Sequence, residues 1–303
     1  MLGCLAVFCA AVPLSLSCDA QTQAWRFTVS GKVAELQTPY ASVEYYVPPH
    51  PRRVLVLASG YPWPDGTVSD AELKEYVRSV MRRWVSFADQ NGVLLIAPAF
   101  GNDGFAGFRG MCGSVIAPDV FVDELIDGPA SAAVPDLHER FSLVGHSAGA
   151  QFAARYLVAH PDRLDVAILS APSTYPFPNS GVPWPFGEAA GSACNASGGV
   201  PTRQHSAANQ FAPAVSKWLS VATSVPTYVM VGTRDVEQRP SAPGQMGNTR
   251  LERAHAWVDA MRTLANGAHK LSTVQFVSVP NAAHDEAKIV GPASELLKRV
   301  WKR

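Results

Sequence analysis

One stretch constrains this chain more than any other. The run Arg140-Phe141-Ser142-Leu143-Val144 passes directly into Gly145-His146-Ser147-Ala148-Gly149, and then into a helical pattern carrying Phe152, Ala153, Tyr156 and Leu157. A short apolar run bounded by turn residues reads as a strand covered on both faces. Small residues two before and two after a serine let strand and helix pack closely around the turn between them. A serine at the tip of such a turn is held in strained backbone geometry with its Oγ exposed. The helix N-terminus behind it favours developing negative charge.

Other segments repeat the strand-then-helix alternation. Arg53–Ala58, Val93–Pro98, Val166–Ser170, Thr227–Val231 and Thr273–Val279 read as further buried strands. Helical spacing runs from a Ser69/Glu72 capping box to about Gln90, and again over Asp119–Ile126, Ala148–His160, Thr249–Asn266 and His284–Lys302. Trp25–Leu36 and Ser42–Val47 read as an opening antiparallel pair. The pattern predicts an α/β fold, with a mostly parallel central sheet and helices on both faces. The Pro-, Gly- and Ser-rich segment 172–213 interrupts the alternation and reads as a lid or binding insertion.

Composition narrows the function. The 303 residues carry 25 Lys+Arg against 25 Asp+Glu, so no basic excess points to nucleic acid or an anionic membrane. A hydrophobic content of 47% supports a large core and excludes a disordered chain. Five Cys at these spacings make no zinc site, and neither a metal nor a cofactor is expected. Gly101, Gly104, Gly107, Gly110 and Gly113 recur without the pattern that cradles phosphates. That loop reads either as a substrate-lining segment or as plain surface.

Residues 1–20 read as a signal peptide. Leu2–Leu16 is uncharged, too short to span a bilayer comfortably, and followed by Cys18-Asp19-Ala20, which suits cleavage near Ala20. The expected mature chain, residues 21–303, is one secreted or periplasmic domain. It keeps only Cys112 and Cys194, which leaves open whether these two form a disulfide.

At Gly145–Gly149 the chain resembles the α/β-hydrolase superfamily, and the resemblance follows strand and helix order through nearly all of the mature chain. It implies serine hydrolase chemistry on carboxylic esters. In that family the chain order is nucleophile, acid, histidine. The resemblance therefore implies Ser147 as nucleophile and Asp235, in the turn after Val229-Met230-Val231, as the acid, with Glu237 its nearest rival. It implies His284, placed after the last strand at the start of the last helix, as the base. His146 is expected to support packing within the turn.

The oxyanion hole is implied to combine the N–H groups of Ala148 and Tyr61. Tyr61 stands in Ser59-Gly60-Tyr61, where many family members have His-Gly; the Gly-Tyr pair is similar to cutinase-like polyester hydrolases. Trp63, Phe100 and Trp184 are expected to wall an apolar or aromatic substrate. Arg203, Arg234 and Arg239 are candidate carboxylate binders if they converge. The expected activity is a serine esterase on short- to medium-chain or aromatic esters. A polyester depolymerase and a peptidase or amidase are the alternatives.

Overall fold

The computed structural model describes residues 25–62, 68–101, 105, 107–112, 116–137, 140–192 and 222–302. The leader, Trp63, Cys194 and the second half of the 172–213 insertion lie outside them.

An eight-stranded sheet organises the chain. It comprises β1 (Ala34–Gln37), β2 (Ser42–Tyr46), β3 (Arg53–Ala58), β4 (Val93–Pro98), β5 (Phe141–His146), β6 (Leu164–Ser170), β9 (Thr227–Gly232) and β10 (Val274–Val279), in the order β1-β2-β4-β3-β5-β6-β9-β10. Two short strands, β7 (Pro183–Trp184) and β8 (Ala189–Ser192), pair separately. β1 pairs antiparallel with β2 and β2 with β4; all other neighbours in the large sheet are parallel.

The continuous apolar runs have a direct cause. Successive residues of a strand face opposite layers. In β3, Val54, Val56 and Ala58 enter one hydrophobic cluster and Leu55 and Leu57 the other. On the first side lie α3 (Pro118–Leu125), α4 (Ala148–Ala159) and α5 (Arg250–Gly267), contributing Phe121, Phe152 and Trp257. On the second lie α1 (Asp70–Arg82), α2 (Val85–Asn91) and α6 (Val290–Trp301), contributing Val77, Phe87 and Leu297. Helices thus cover both faces, as the alternation predicts. Ser69 and Glu72 form the expected capping box, and Thr249 and Glu252 form a second one on α5.

Several boundaries differ from expectation; the opening strand read over Trp25–Leu36 is confined to Ala34–Gln37. The helical run from Ser69 to Gln90 breaks at Trp84 into α1 and α2, and Gly92 closes α2 in a left-handed conformation. His284 does not start the last helix. It stands in a loop; Asp285 then caps a short 3₁₀ turn, Glu286–Lys288, by accepting from the Ala287 N–H, and α6 begins only at Val290. Asp285 competes for the backbone where a helix would otherwise start.

The described part of the insertion, residues 172–192, is fastened rather than loose. The Arg155 guanidinium, 1% exposed on α4, donates to the carbonyls of Pro185 and Thr174 and to the Thr174 hydroxyl at 3.0–3.2 Å. From α5, Arg253 donates to the Ser173 carbonyl at 2.7 Å and the Trp257 indole to the Pro176 carbonyl at 2.8 Å. Cys112 is disulfide-bonded. Among the described residues, no helix is long and apolar enough to cross a membrane.

Candidate active site

The turn between β5 and α4 has the geometry its sequence requires. Ser147 sits at φ 51°, ψ −111°, a positive-φ conformation that costs a non-glycine residue about 1–3 kcal/mol. Its amide donates to the Ser170 carbonyl at 2.8 Å, which ties the turn to β6. Gly149 is obligatory here: a Cβ on it would lie 1.9 Å from the Ala58 carbonyl oxygen at the end of β3. Ala148 is the first residue of α4, and N–H groups of a first helical turn have no partner within their helix.

Two later strands deliver the other groups. Asp235 follows β9 and is 2% exposed; His284 follows β10. The loops that carry them interlock. The Arg234 amide donates to the Ala282 carbonyl at 2.8 Å, and the Asn281 amide to the Thr233 hydroxyl at 2.9 Å. Gly232 permits this approach, because a Cβ there would stand 2.3 Å from the Ala282 carbonyl oxygen.

The outcome is a chain of three side chains. His284 Nε2 lies 2.9 Å from Ser147 Oγ, and His284 Nδ1 lies 2.8 Å from Asp235 Oδ2. Burial would push the Asp235 carboxyl up, but the hydrogen bond from His284 and the charge of Arg250 outweigh it and hold the carboxyl below its ordinary value. Asp235 is therefore ionised at neutral pH and able to orient an imidazole and stabilise its protonated form. Glu237, the rival acid, bonds to Arg250 and Arg239 instead.

His146 supports the turn, as expected. Its Nδ1 lies 3.0 Å from Ser170 Oγ, and its ring lies 4.8 Å from that of His284. Burial, and secondarily the charge of His284, push its pKa down to about 3, so it stays neutral across the working range. A second cation next to His284 is thereby avoided.

Ser147 and His284 open into a cleft of about 310 Å³, also lined by Tyr61, Tyr76, Arg83 and Glu286. Tyr61 lines the same cleft as Ser147, with the Arg109 guanidinium 5.5 Å above its ring. The Tyr76 hydroxyl donates to Glu286 Oε2 at 2.7 Å. Burial raises the Glu286 carboxyl to about 7, more than the Tyr76 bond and the Arg83 charge lower it.

Two of the three expected substrate walls lie elsewhere. Phe100 is 5% exposed and stacks on Phe108 at 5.1 Å, and Trp184 is 1% exposed within the same core cluster. Neither lines the cleft. Both rings satisfy the hydrophobic demand of the layer beneath their loops, which sequence cannot separate from a wall. Trp63 lies outside the described residues. Of the three arginines, Arg239 pairs with Glu237 at 3.1 Å, Arg234 is exposed, and Arg203 lies outside the described residues. Among the described residues, no cluster of His, Cys, Asp and Glu is arranged to hold a metal ion.

Sequence reasoning missed Arg250, Tyr76, Arg83 and Glu286. One of them left a trace. Arg250 follows the capping Thr249, and a cation in the first turn of a helix opposes the helix dipole.

No family model and no curated protein sequence matches the chain. Solved structures do. Poly(aspartic acid) hydrolase-1 from Sphingomonas sp. KT-1 superposes with a TM-score of 0.68 at 19% identity, over 90% of this chain and 100% of that one. The poly(3-hydroxybutyrate) depolymerase of Bordetella parapertussis gives 0.65 at 19% identity, over 88% and 90%. A fluorophosphonate-binding serine hydrolase of Staphylococcus aureus gives 0.54 at 11% identity, over 89% and 97%. The strand order and these superpositions establish the α/β-hydrolase fold.

Proposed function

We propose that this α/β-hydrolase-fold chain is a secreted serine esterase, which cleaves carboxylic esters through an acyl-enzyme. The observation that carries the reading is the pair of contacts made by His284, 2.9 Å to the Ser147 hydroxyl and 2.8 Å to the Asp235 carboxylate. Fold alone would not do so, because one fold hosts many chemistries.

In this reading, neutral His284 accepts the Ser147 proton at Nε2 as Oγ attacks the ester carbonyl. The Nδ1 proton stays on the imidazole and is held by Asp235. The carbonyl oxygen becomes an oxyanion, which receives the N–H groups of Ala148 and Tyr61, worth roughly 3 kcal/mol each. Collapse expels the alkoxide, which takes the proton from His284. Water then repeats the cycle on the acyl-enzyme and frees the acid and Ser147. No cofactor or metal enters these steps.

The 310 Å³ cleft suits an acyl group of short to medium length. A polyester depolymerase is the second reading. It is supported by the superposition on a protein named as a poly(3-hydroxybutyrate) depolymerase, and polymer and small-ester hydrolysis share the same chemistry. A peptidase or amidase ranks below both, since an amine leaving group needs stronger protonation.

The test is an acyl-chain series of p-nitrophenyl esters, run beside labelling with a fluorophosphonate. Turnover is expected to peak at short to medium chains, with Ser147 as the labelled residue. Soluble monomers released from a polyester film faster than small esters are cleaved would favour the depolymerase. Label on another serine, or none on active protein, would overturn the reading.

A further inference from the structure

Asp235 serves two partners with two oxygens. Oδ2 takes the His284 ring, and Oδ1 takes Arg250 Nη1 at 2.8 Å. The same Nη1 lies 3.0 Å from Glu237 Oε2, and that oxygen also takes Arg239 Nη1 at 3.1 Å. The Arg250 and Asp235 side chains are 5% and 1% exposed, whereas the Glu237 side chain is 65% exposed.

Arg250 occupies a costly place. It is the first residue of α5, where the helix dipole opposes a cation, and burial of a guanidinium carries a desolvation penalty. Its Nε is buried with no hydrogen-bond partner among the described residues. The contacts that offset these costs are the two carboxylates.

We infer that Arg250 is a positioning residue of the triad: it fixes the Asp235 carboxylate so that Oδ2 meets the His284 ring, and it tempers, under the control of Glu237, the negative charge that Asp235 offers to the imidazolium. This rests on the esterase reading and extends it to a line of alternating charges, Arg239–Glu237–Arg250–Asp235, ending at His284 and Ser147. The orienting effect is geometric: without the Oδ1 bond the carboxylate is free to turn about its Cβ–Cγ bond. The electrostatic effect has a sign. Removing the Arg250 charge leaves Asp235 to favour the imidazolium more strongly. Removing the Glu237 charge leaves Arg250 to oppose it more strongly.

Other charged groups face the same imidazole. His146 approaches from β5, Tyr76 lines the cleft from α1 and Arg83 from just past its end, and Asp285 and Glu286 follow His284 on its own loop. Glu286 titrates near neutrality, so the measurement is made on a Glu286→Gln background.

The experiment records kcat/KM against pH for a p-nitrophenyl ester, whose acidic limb reports the free enzyme. Arg250→Met is expected to lower kcat by about 10- to 100-fold with KM within about threefold. Its acidic limb should move up by about 0.5–1 pH unit. Arg250→Lys should restore the limb but only part of kcat, because an ammonium lacks the guanidinium fork. Glu237→Gln should move the limb down by a few tenths of a unit, an effect that about 1 M salt abolishes.

Opposite shifts for Arg250→Met and Glu237→Gln support the inference; unmoved limbs, or shifts of one sign, overturn it. If Arg250→Met does not fold, Arg250→Lys and Glu237→Gln decide alone. Ser147→Ala is the control: ester turnover surviving in that variant overturns the esterase reading itself. Loss of turnover there, together with unmoved limbs in the others, overturns only the role of Arg250.

Discussion

The Tyr76 hydroxyl donates a 2.7 Å hydrogen bond to Glu286 Oε2, joining α1 to the loop that carries His284 across 210 residues of chain. Tyr76 also lies under the expected oxyanion loop, 3.3 Å from where a Cβ on Gly60 would be. The hydroxyl thus bonds to the loop that carries His284 and lies close beside the loop that leads to Tyr61.

The Glu286 carboxyl has a consequence for stability. Its pKa rises from 4.5 to about 7 on folding. Between these values the native state binds more protons than the unfolded chain, so stability falls as pH rises through the window. The contribution is fully present below about pH 4.5 and lost above about pH 7. Glu286→Gln should match wild type near pH 4.5 and exceed it by about 1–3 kcal/mol at pH 8. Urea unfolding at the two pH values measures the gap; an equal gap at both would show that the carboxyl does not titrate as described.

Ser147 carries backbone strain. Glycine adopts its backbone angles without penalty, whereas alanine does not. Ser147→Gly should be more stable than Ser147→Ala by about 1–2 kcal/mol, with both at least about a thousandfold down in ester turnover. Thermal melts ordered the other way would remove strain from the account of this turn.

Gly149 admits no side chain. A Cβ there would also stand 2.3 Å from the Ala58 carbonyl carbon, and backbone cannot step aside as a side-chain tip can. Gly149→Ala should cost about 3 kcal/mol and displace α4 from β3. A variant that melts within 2 °C or so of wild type would refute that contact.

His160 makes a second pH-dependent joint, remote from the cleft. Its Nε2 lies 3.0 Å from Asp119 Oδ2, joining α4 to α3. Burial would lower its pKa, yet the Asp119 bond and the charges of Asp119, Asp123 and Asp162 raise it above 6.5. Stability from this pair is full below pH 6.5 and lost as pH rises through the folded-state value. His160→Gln should therefore destabilise at pH 6 and much less at pH 9. Chemical denaturation at both values checks it, and an effect that grows with pH would reverse the assignment.

How much of this was legible beforehand depends on which physics each element obeys. β3 and β4 could be delimited from sequence because both faces demand apolar side chains without interruption. Ser147 was legible because its turn needs small residues at fixed offsets. Asp235 and His284 could be located only through strand order, and the helical setting expected for His284 was wrong because Asp285 captures the backbone first. Phe100 and Trp184 looked like loop aromatics, but loops over a core supply core residues too. Arg250 was invisible as a partner of Asp235, since nothing local links a helix start to a turn 15 residues earlier.

Among the described residues, β10 is the last strand of the sheet and pairs on one side only, with β9. The histidine hangs from the loop that leaves this strand, while the serine is anchored in the middle of the sheet. Local opening is easiest where few contacts hold a segment. Mild denaturant is therefore expected to release His284 while the remainder of the molecule is still folded, so that ester turnover falls before ellipticity does.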